Sequence, residues 1–206
     1  MLNAAEAEQP KLRRHGDGPL KLEEFRGKIA SNLPGGALTM TRVMIEYKYG
    51  VQVVDDQIEA RLSSIQVFSV FLPEESWWRA AHMNHLLDHE QGHFDIAEIA
   101  ARRLQLAFNR AFADGKAVSG VGASQQEAVQ AMAAKLVKLL RLVNEQAVDE
   151  NKAYDRLTSH GARRRAQFEH RKIQTATLKR LAQQLQQPSH PPSQESKSGV
   201  TGRTLF

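Results

Sequence analysis

The 206-residue sequence predicts an α+β fold, and two observations predict it. Between Ala37 and Leu72, β-branched and aromatic residues recur at near-alternating spacing, whereas from Glu75 onward the apolar spacing becomes helical. The change of period falls once, so the strands come first and the helices follow, packed into one core.

The strand region carries Met40, Val43, Ile45, Tyr47, Tyr49, Val51 and Val53, then Ile58, Ala60, Leu62, Ile65, Val67, Phe68, Val70 and Phe71. Pro34-Gly35-Gly36 and the stretch from Gly50 to Asp56 read as breaks, which gives two to four antiparallel strands. A long helix is expected from Trp77 to Phe112, stopping before Asp114-Gly115, with a loop through Gly120 and Gly122. Ser124 followed by Glu127 is a capping box, so a second helix should run from Ser124 to Ser159 and end at His160-Gly161. A third, 162–187, begins with Arg163, Arg164 and Arg165 and closes in a Gln-rich run before Pro188. The sheet should pack on the first helix, with the second crossing behind it.

Residues 1–18 are polar and without periodicity, and residues 188–206 are rich in Pro, Ser and Gly. Both read as disordered, leaving a folded domain at 19–187. The first twenty residues hold no apolar signal region, and no run is long enough to span a bilayer. Hydrophobic residues make up 41% of the chain, enough for a single core. The 28 basic against 23 acidic residues are a mild excess, read first as solubility and not as a nucleic-acid footprint. With no cysteine, disulfides and thiolate ligands are excluded, and any metal must rest on His, Asp or Glu.

Residues 89 to 93 read His-Glu-Gln-Gly-His inside the first helix. At about 100° per residue, His89 and His93 lie about 40° apart and one turn above each other, so both imidazoles reach one ion. Glu90 stands about 100° from His89, where its carboxylate can take a proton from a metal-activated water instead of binding the metal. Neutral imidazoles suit Zn²⁺, and a catalytic zinc needs three protein ligands and one open position. The competing reading is a surface helix with scattered histidines. Two features count against it: Gly92 costs about 1 kcal/mol in a helix interior relative to Ala, and Leu86, Leu87, Phe94, Ile96, Ile99 and Leu104 make the helix apolar around most of its girth, so it should be buried. Gly92 should leave room for a substrate or a neighbouring strand. His82 and His85 share the face of His89 as cleft-lining, supporting or simply exposed groups. Asp95 and Glu98 point away, so the third ligand must come from elsewhere in the chain.

The string HEQGHFDIAEIAARRL after Leu86-Leu87-Asp88, with Ser76-Trp77 before it, resembles the predicted secreted zinc-dependent proteases of bacteria, a zincin-like group. Leu22 to Gly27 resembles that family's N-terminal L-x-x-F-x-G segment, and Tyr154-Asp155-Arg156-Leu157-Thr158-Ser159-His160-Gly161 its Y-D-x-x-T-x-H-G block. The resemblance implies a zincin-like metallopeptidase and a secreted or periplasmic protein, although this chain shows no signal peptide. The downstream block offers His160 as third ligand, with Asp155 as the alternative or as an orienting acceptor, and Tyr154 as a donor to the oxyanion.

The expected function is therefore zinc-dependent hydrolysis, most naturally of peptide bonds, with Glu90 as general base and a peptide or protein substrate extended along the sheet edge that ends in Phe68 to Phe71. The alternative is a basic interaction protein using residues 163–180 around a non-catalytic metal site. The sequence fixes no oligomeric state.

Overall fold

The computed structural model describes residues 12–29, 36–79, 84–187 and 199–204. In chain order its elements are β1 (Arg13–Arg14), β2 (Ala37–Leu38), β3 (Thr41–Val54), β4 (Gln57–Phe71), β5 (Trp77–Trp78), α1 (Asn84–Ala113), β6 (Ser119–Gly122), α2 (Gln125–Thr158), α3 (Arg164–Gln186) and β7 (Gly199–Thr204). The fold is α+β, with antiparallel sheets and three helices among the described residues.

The strand region is one long hairpin. The turn falls at the far end of the expected break from Gly50 to Asp56: β3 runs on through Gly50 to Val54, and Asp55-Asp56, with φ angles of 48° and 60°, meet the left-handed demand of a two-residue hairpin loop. Strands β3 and β4 pair from Thr41↔Phe71 to Val54↔Gln57. Lys48 faces Ser64 and Tyr49 faces Leu62, so Ser63 is an extra residue that switches the parity of β4. That bulge lets Leu62 and Ile65 both join the core face with Val43, Ile45, Tyr47 and Tyr49. Against this face pack Ala101, Leu104 and Phe108 of α1 and Ala128, Met132, Leu136 and Leu140 of α2.

The main sheet runs β1-β4-β3-β7, with β6 also on β4, and β2 pairs β5 in a separate two-stranded sheet. The expected start of the first helix at Trp77 is corrected: Trp77 and Trp78 pair with Leu38 and Ala37 as a strand, and the described helix begins at Asn84. The loop through Gly120 and Gly122 is strand β6 on Ile58 to Arg61. Helix α2 starts as read, with Ser124 Oγ accepting from Glu127 N–H at 3.2 Å and Glu127 accepting in return from Ala123 N–H.

The domain limits at 19 and 187 fall inside structured chain. Arg13 and Arg14 pair with Phe71 and Val70, the Arg13 side chain is bonded to Glu24, and Leu12 covers Met44, Phe68 and Val70. Residues 199–204 pair with β3. Polar composition hid both, since each segment is held chiefly by backbone pairing or charge. Residues 1–11, 188–198 and 205–206 lie outside the described residues. No helix among the described residues is long and apolar enough to cross a membrane.

The expected substrate edge beside Phe68 to Phe71 is closed. β1 pairs with Val70 and Phe71, β6 with Ile58 to Arg61, and between them Gln105 accepts from Val67 N–H at 2.7 Å and donates to Ile65 C=O at 3.2 Å.

Candidate metal centre

Helix α1 is a scaffold read differently on each side. Its His89–His93 face meets the last turns of α2, and the side carrying Asp88, Gly92 and Asp95 meets α3. His89, Glu90 and His93 are all buried and offer donor atoms within 4.8 Å of one another, a group able to hold a metal ion.

Asp155 completes a tighter set. Its Oδ1 lies 3.0 Å from His89 Nε2 and 3.2 Å from His93 Nε2, and the two Nε2 atoms are 3.2 Å apart. Tetrahedral ligands at about 2.0–2.1 Å from a zinc ion are separated by roughly 3.3–3.4 Å, so the three atoms are spaced almost as one face of such a tetrahedron. His93 Nδ1 donates to Asn151 Oδ1 at 2.8 Å, which leaves Nε2 as the lone-pair nitrogen of a neutral ring. A lone pair facing both a carboxylate oxygen and a second imidazole nitrogen needs a positive charge between them, either a proton or a metal. The same demand shows in how the two groups bias each other's ionisation. Burial pushes the His93 imidazole down, but its hydrogen bond to Asp155 and the charges of Glu90 and Asp155 outweigh it and raise its pKa above the ordinary value. Asp155 moves the other way: burial opposes ionisation, yet the hydrogen bonds of His89 and His93 hold its carboxyl well below the usual range.

Of the two expected third donors, the fold sets Asp155 against both imidazoles and turns His160 outward. His160 has an exposed side chain, 71% accessible, and its Nδ1 meets Asp155 Oδ1 at 3.3 Å. The geometric reason lies in the helix end. Asp155 is still in α2, facing α1, whereas Ser159 and His160 adopt φ of 49° and 50° and turn the chain outward before Gly161 at 82°. Gly161 packs so closely on His89 that a Cβ there would lie 3.2 Å from its Cβ and Cγ.

Tyr154 stacks on His89 with ring centroids 4.7 Å apart and a 16° interplanar angle, and meets His93 edge-on. Gly92 makes the room: a Cβ there would lie 2.5 Å from the Tyr154 hydroxyl and 2.7 Å from Cζ. The space expected for a substrate or strand is filled by this ring. Burial pushes the Tyr154 phenol up. Its hydroxyl sits over Gly92, about 160° around the helix from Glu90, so it packs beside the imidazoles on the side away from the general-base candidate.

Three of the five buried side-chain atoms without a hydrogen-bond partner among the described residues belong to this site: His89 Nδ1, Glu90 Oε2 and Tyr154 Oη. Buried polar atoms are seldom left so, and their concentration here fits a site whose chemistry takes ion, water or substrate.

Sequence reasoning missed Asn151, Thr158 and Arg171. Asn151, Tyr154, Asp155 and Thr158 recur at helical spacing on one face of α2, a signal that would have found the first two. Thr158 is buried and ties the block together, donating to Tyr154 C=O at 2.7 Å. Arg171, read as part of a solvated basic stretch, is engaged by Asp88 and Asp95. His85 is half-buried at the rim of a hollow between α1 and α3, and its carbonyl accepts from Gln167; His82 lies outside the described residues.

Beside the centre, between α2 and the start of β3, is a cavity of about 770 Å³ with an apolar floor of Met40, Ala97, Leu140 and Val148. Asn151, the partner of His93, is in its wall. Comparison of the chain with family models, curated proteins and solved structures finds no significant match.

Proposed function

We propose that the protein is a zinc-dependent metallohydrolase that cleaves peptide bonds, with His89, His93 and Asp155 as ligands and Glu90 as general base. The observation that carries this reading is the triangle of donor atoms, 3.0 to 3.2 Å on a side, next to a buried carboxylate oxygen with no partner. Two imidazoles and one carboxylate form a known catalytic zinc donor set that leaves a fourth position open. The zincin-like resemblance of the HEQGHFDI string and of the Tyr154–Gly161 block adds the peptide bond as substrate and zincin-like as the fold type.

The residues divide the work. Asn151 holds the His93 tautomer that presents Nε2, while Tyr154 and Gly161 fix the plane of the His89 ring. Zinc bound there supplies Lewis acidity, lowering the pKa of water toward about 7 and polarising a carbonyl. Glu90, outside the ligand triangle, accepts the proton of the attacking water at Oε2 and returns it to the leaving amine. The buried setting keeps bulk water from competing for that proton.

Purified protein should hold about one zinc per chain, and Glu90→Gln should keep the metal while peptide hydrolysis falls by about 10²–10⁴-fold. Full activity in Glu90→Gln, or a chain that takes up no zinc, would remove the proposal.

A further inference from the structure

The outer edge of β3, away from β4, is occupied by a strand from outside the domain limits read in the sequence. Val43 donates its N–H to Asn144 Oδ1 at 3.0 Å, and Asn144 Nδ2 donates to Val43 C=O at 3.2 Å, so the backbone groups of Val43 point outward. By the two-residue period of a strand, those of Ile45 and Tyr47 point outward as well, before the bulge at Lys48/Tyr49. Opposite them stand Thr204 and Gly202 of β7. In the antiparallel sense these are the residues that exchange N–H and C=O bonds with β3.

Two glycines in six residues, Gly199-Val200-Thr201-Gly202-Arg203-Thr204, make a weak strand sequence. Backbone pairing, which any extended peptide supplies, is therefore the main attraction of this edge. The edge also leads somewhere. At Val43 it is capped by Asn144, which together with Thr41, Arg42 and Asn151 lines the cavity beside the metal centre. A peptide running antiparallel to β3, as β7 does, is directed by the edge toward that cavity.

We propose that the outer edge of β3 is a docking edge for an extended peptide, and that residues 199–204 are its resting occupant in cis, which a peptide in trans must displace. The tether between α3 and β7 is about a dozen residues, and a short tether holds its segment at an effective concentration on the order of millimolar. An incoming peptide of equal intrinsic affinity is then excluded until it reaches a similar concentration. Docking itself needs no catalysis; its effect on turnover rests on the metallohydrolase reading.

The test uses the full chain carrying Gly202→Pro and Thr204→Pro, which removes two of the N–H donors aimed at β3, and a fluorescent octapeptide of residues 199–206 as the probe. Expected are a loss of hydrogen-exchange protection at the Ile45 and Tyr47 amides of at least tenfold, and octapeptide binding at least tenfold tighter than to the parent chain. Octapeptide N-methylated at the positions of Gly202 and Thr204 should fail to bind, whereas methylation at those of Thr201 and Arg203 should be tolerated. Unchanged exchange at Ile45 and Tyr47, equal binding to parent and variant, or insensitivity to the methylation pattern would overturn the proposal. With casein as substrate, the variant should show a lower KM at the same kcat. Tighter octapeptide binding without casein hydrolysis in either chain would uphold the docking edge and count against the hydrolase reading alone.

Discussion

On the side of α1 that meets α3, Asp95 is answered by Arg171, by His15 Nε2 at 2.9 Å and by Gln91 Nε2 at 2.8 Å, and Asp88 by Arg171 and Gln167. On the side that meets α2, a little more than one helical turn of residues carries His89, Glu90 and His93. Here the protein supplies one carboxylate oxygen shared by both imidazoles and leaves Glu90 Oε2 and His89 Nδ1 unanswered. Both clusters are polar and centred on buried groups, Asp95 in one and the two imidazoles in the other, and both join residues far apart in the chain. The difference is completion. A cluster finished by its own partners contributes stability, while an unfinished one held rigid by packing is where an ion or a substrate adds the missing partner.

The largest expected effect separates the two sides directly. Asp155→Ala should lower zinc affinity by more than about 100-fold, since even supporting residues around a metal cost about 10–100-fold; Asp95→Asn should leave zinc content unchanged. His160→Ala is the control on the ligand assignment. If it, and not Asp155→Ala, strips the metal in equilibrium dialysis, Asp155 is not the third ligand.

Stability should show the reverse order. Removing one partner of a buried ion pair costs about 3–5 kcal/mol, and the Asp95 and Arg171 side chains are only 6% and 16% exposed, so Asp95→Asn should lose about that much in urea unfolding. The pH dependence follows from the same carboxyl. Burial opposes its ionisation, but the hydrogen bond of His15 and the charge of Arg171 hold its pKa below the ordinary value. Its stabilisation is therefore fully present above the unfolded value of about 3.9 and is lost as pH falls through the lower folded value. The parent should weaken on acidification below about pH 4, and Asp95→Asn should show a shallower slope there. Equal slopes would mean the cluster is not an ionic one.

Gly92→Ala tests the packing that joins the two sides. Helix propensity alone would favour it by about 1 kcal/mol, yet the new Cβ meets the Tyr154 ring, and overpacking costs about 1–3 kcal/mol. A net fall in melting temperature is expected, and a rise would show that the ring yields freely. The smallest effect belongs to Tyr154→Phe. Its hydroxyl is buried without a partner, so stability should change by less than about 1 kcal/mol and kcat by less than tenfold. A loss of about 10²–10³ in kcat would instead make it the oxyanion donor.

Much of this was legible in residues whose spacing carries their meaning. His89, Glu90 and His93 are set by helical geometry, and the end of α2 by Ser159 to Gly161. The hairpin was legible as two alternating runs with a break between Gly50 and Asp56, but not that β3 runs on through Gly50 and turns only at Asp55-Asp56. Asp155 was weighed and ranked second, since nothing local distinguishes a carboxylate facing inward from a histidine four to five residues on that faces out; only the packing of α2 on α1 decides it. β1 and β7 were invisible because their composition is that of a tail, and backbone pairing leaves little trace in side chains.

The two-residue turn at Asp55-Asp56 lets the β3–β4 hairpin close from neighbouring residues, whereas Asp155 meets His89 across 66 positions and β7 meets β3 from farther still. Local contacts form early, and contacts distant in sequence form late. The helices and the hairpin are thus natural early structures on the folding route, and the donor triangle one of the last. On the proposed reading, a metal ion cannot guide the early chain, because the donor atoms of His89, His93 and Asp155 do not yet converge. In refolding experiments zinc uptake should then coincide with the last step of folding, so that a metal-sensitive dye would time the completion of the molecule.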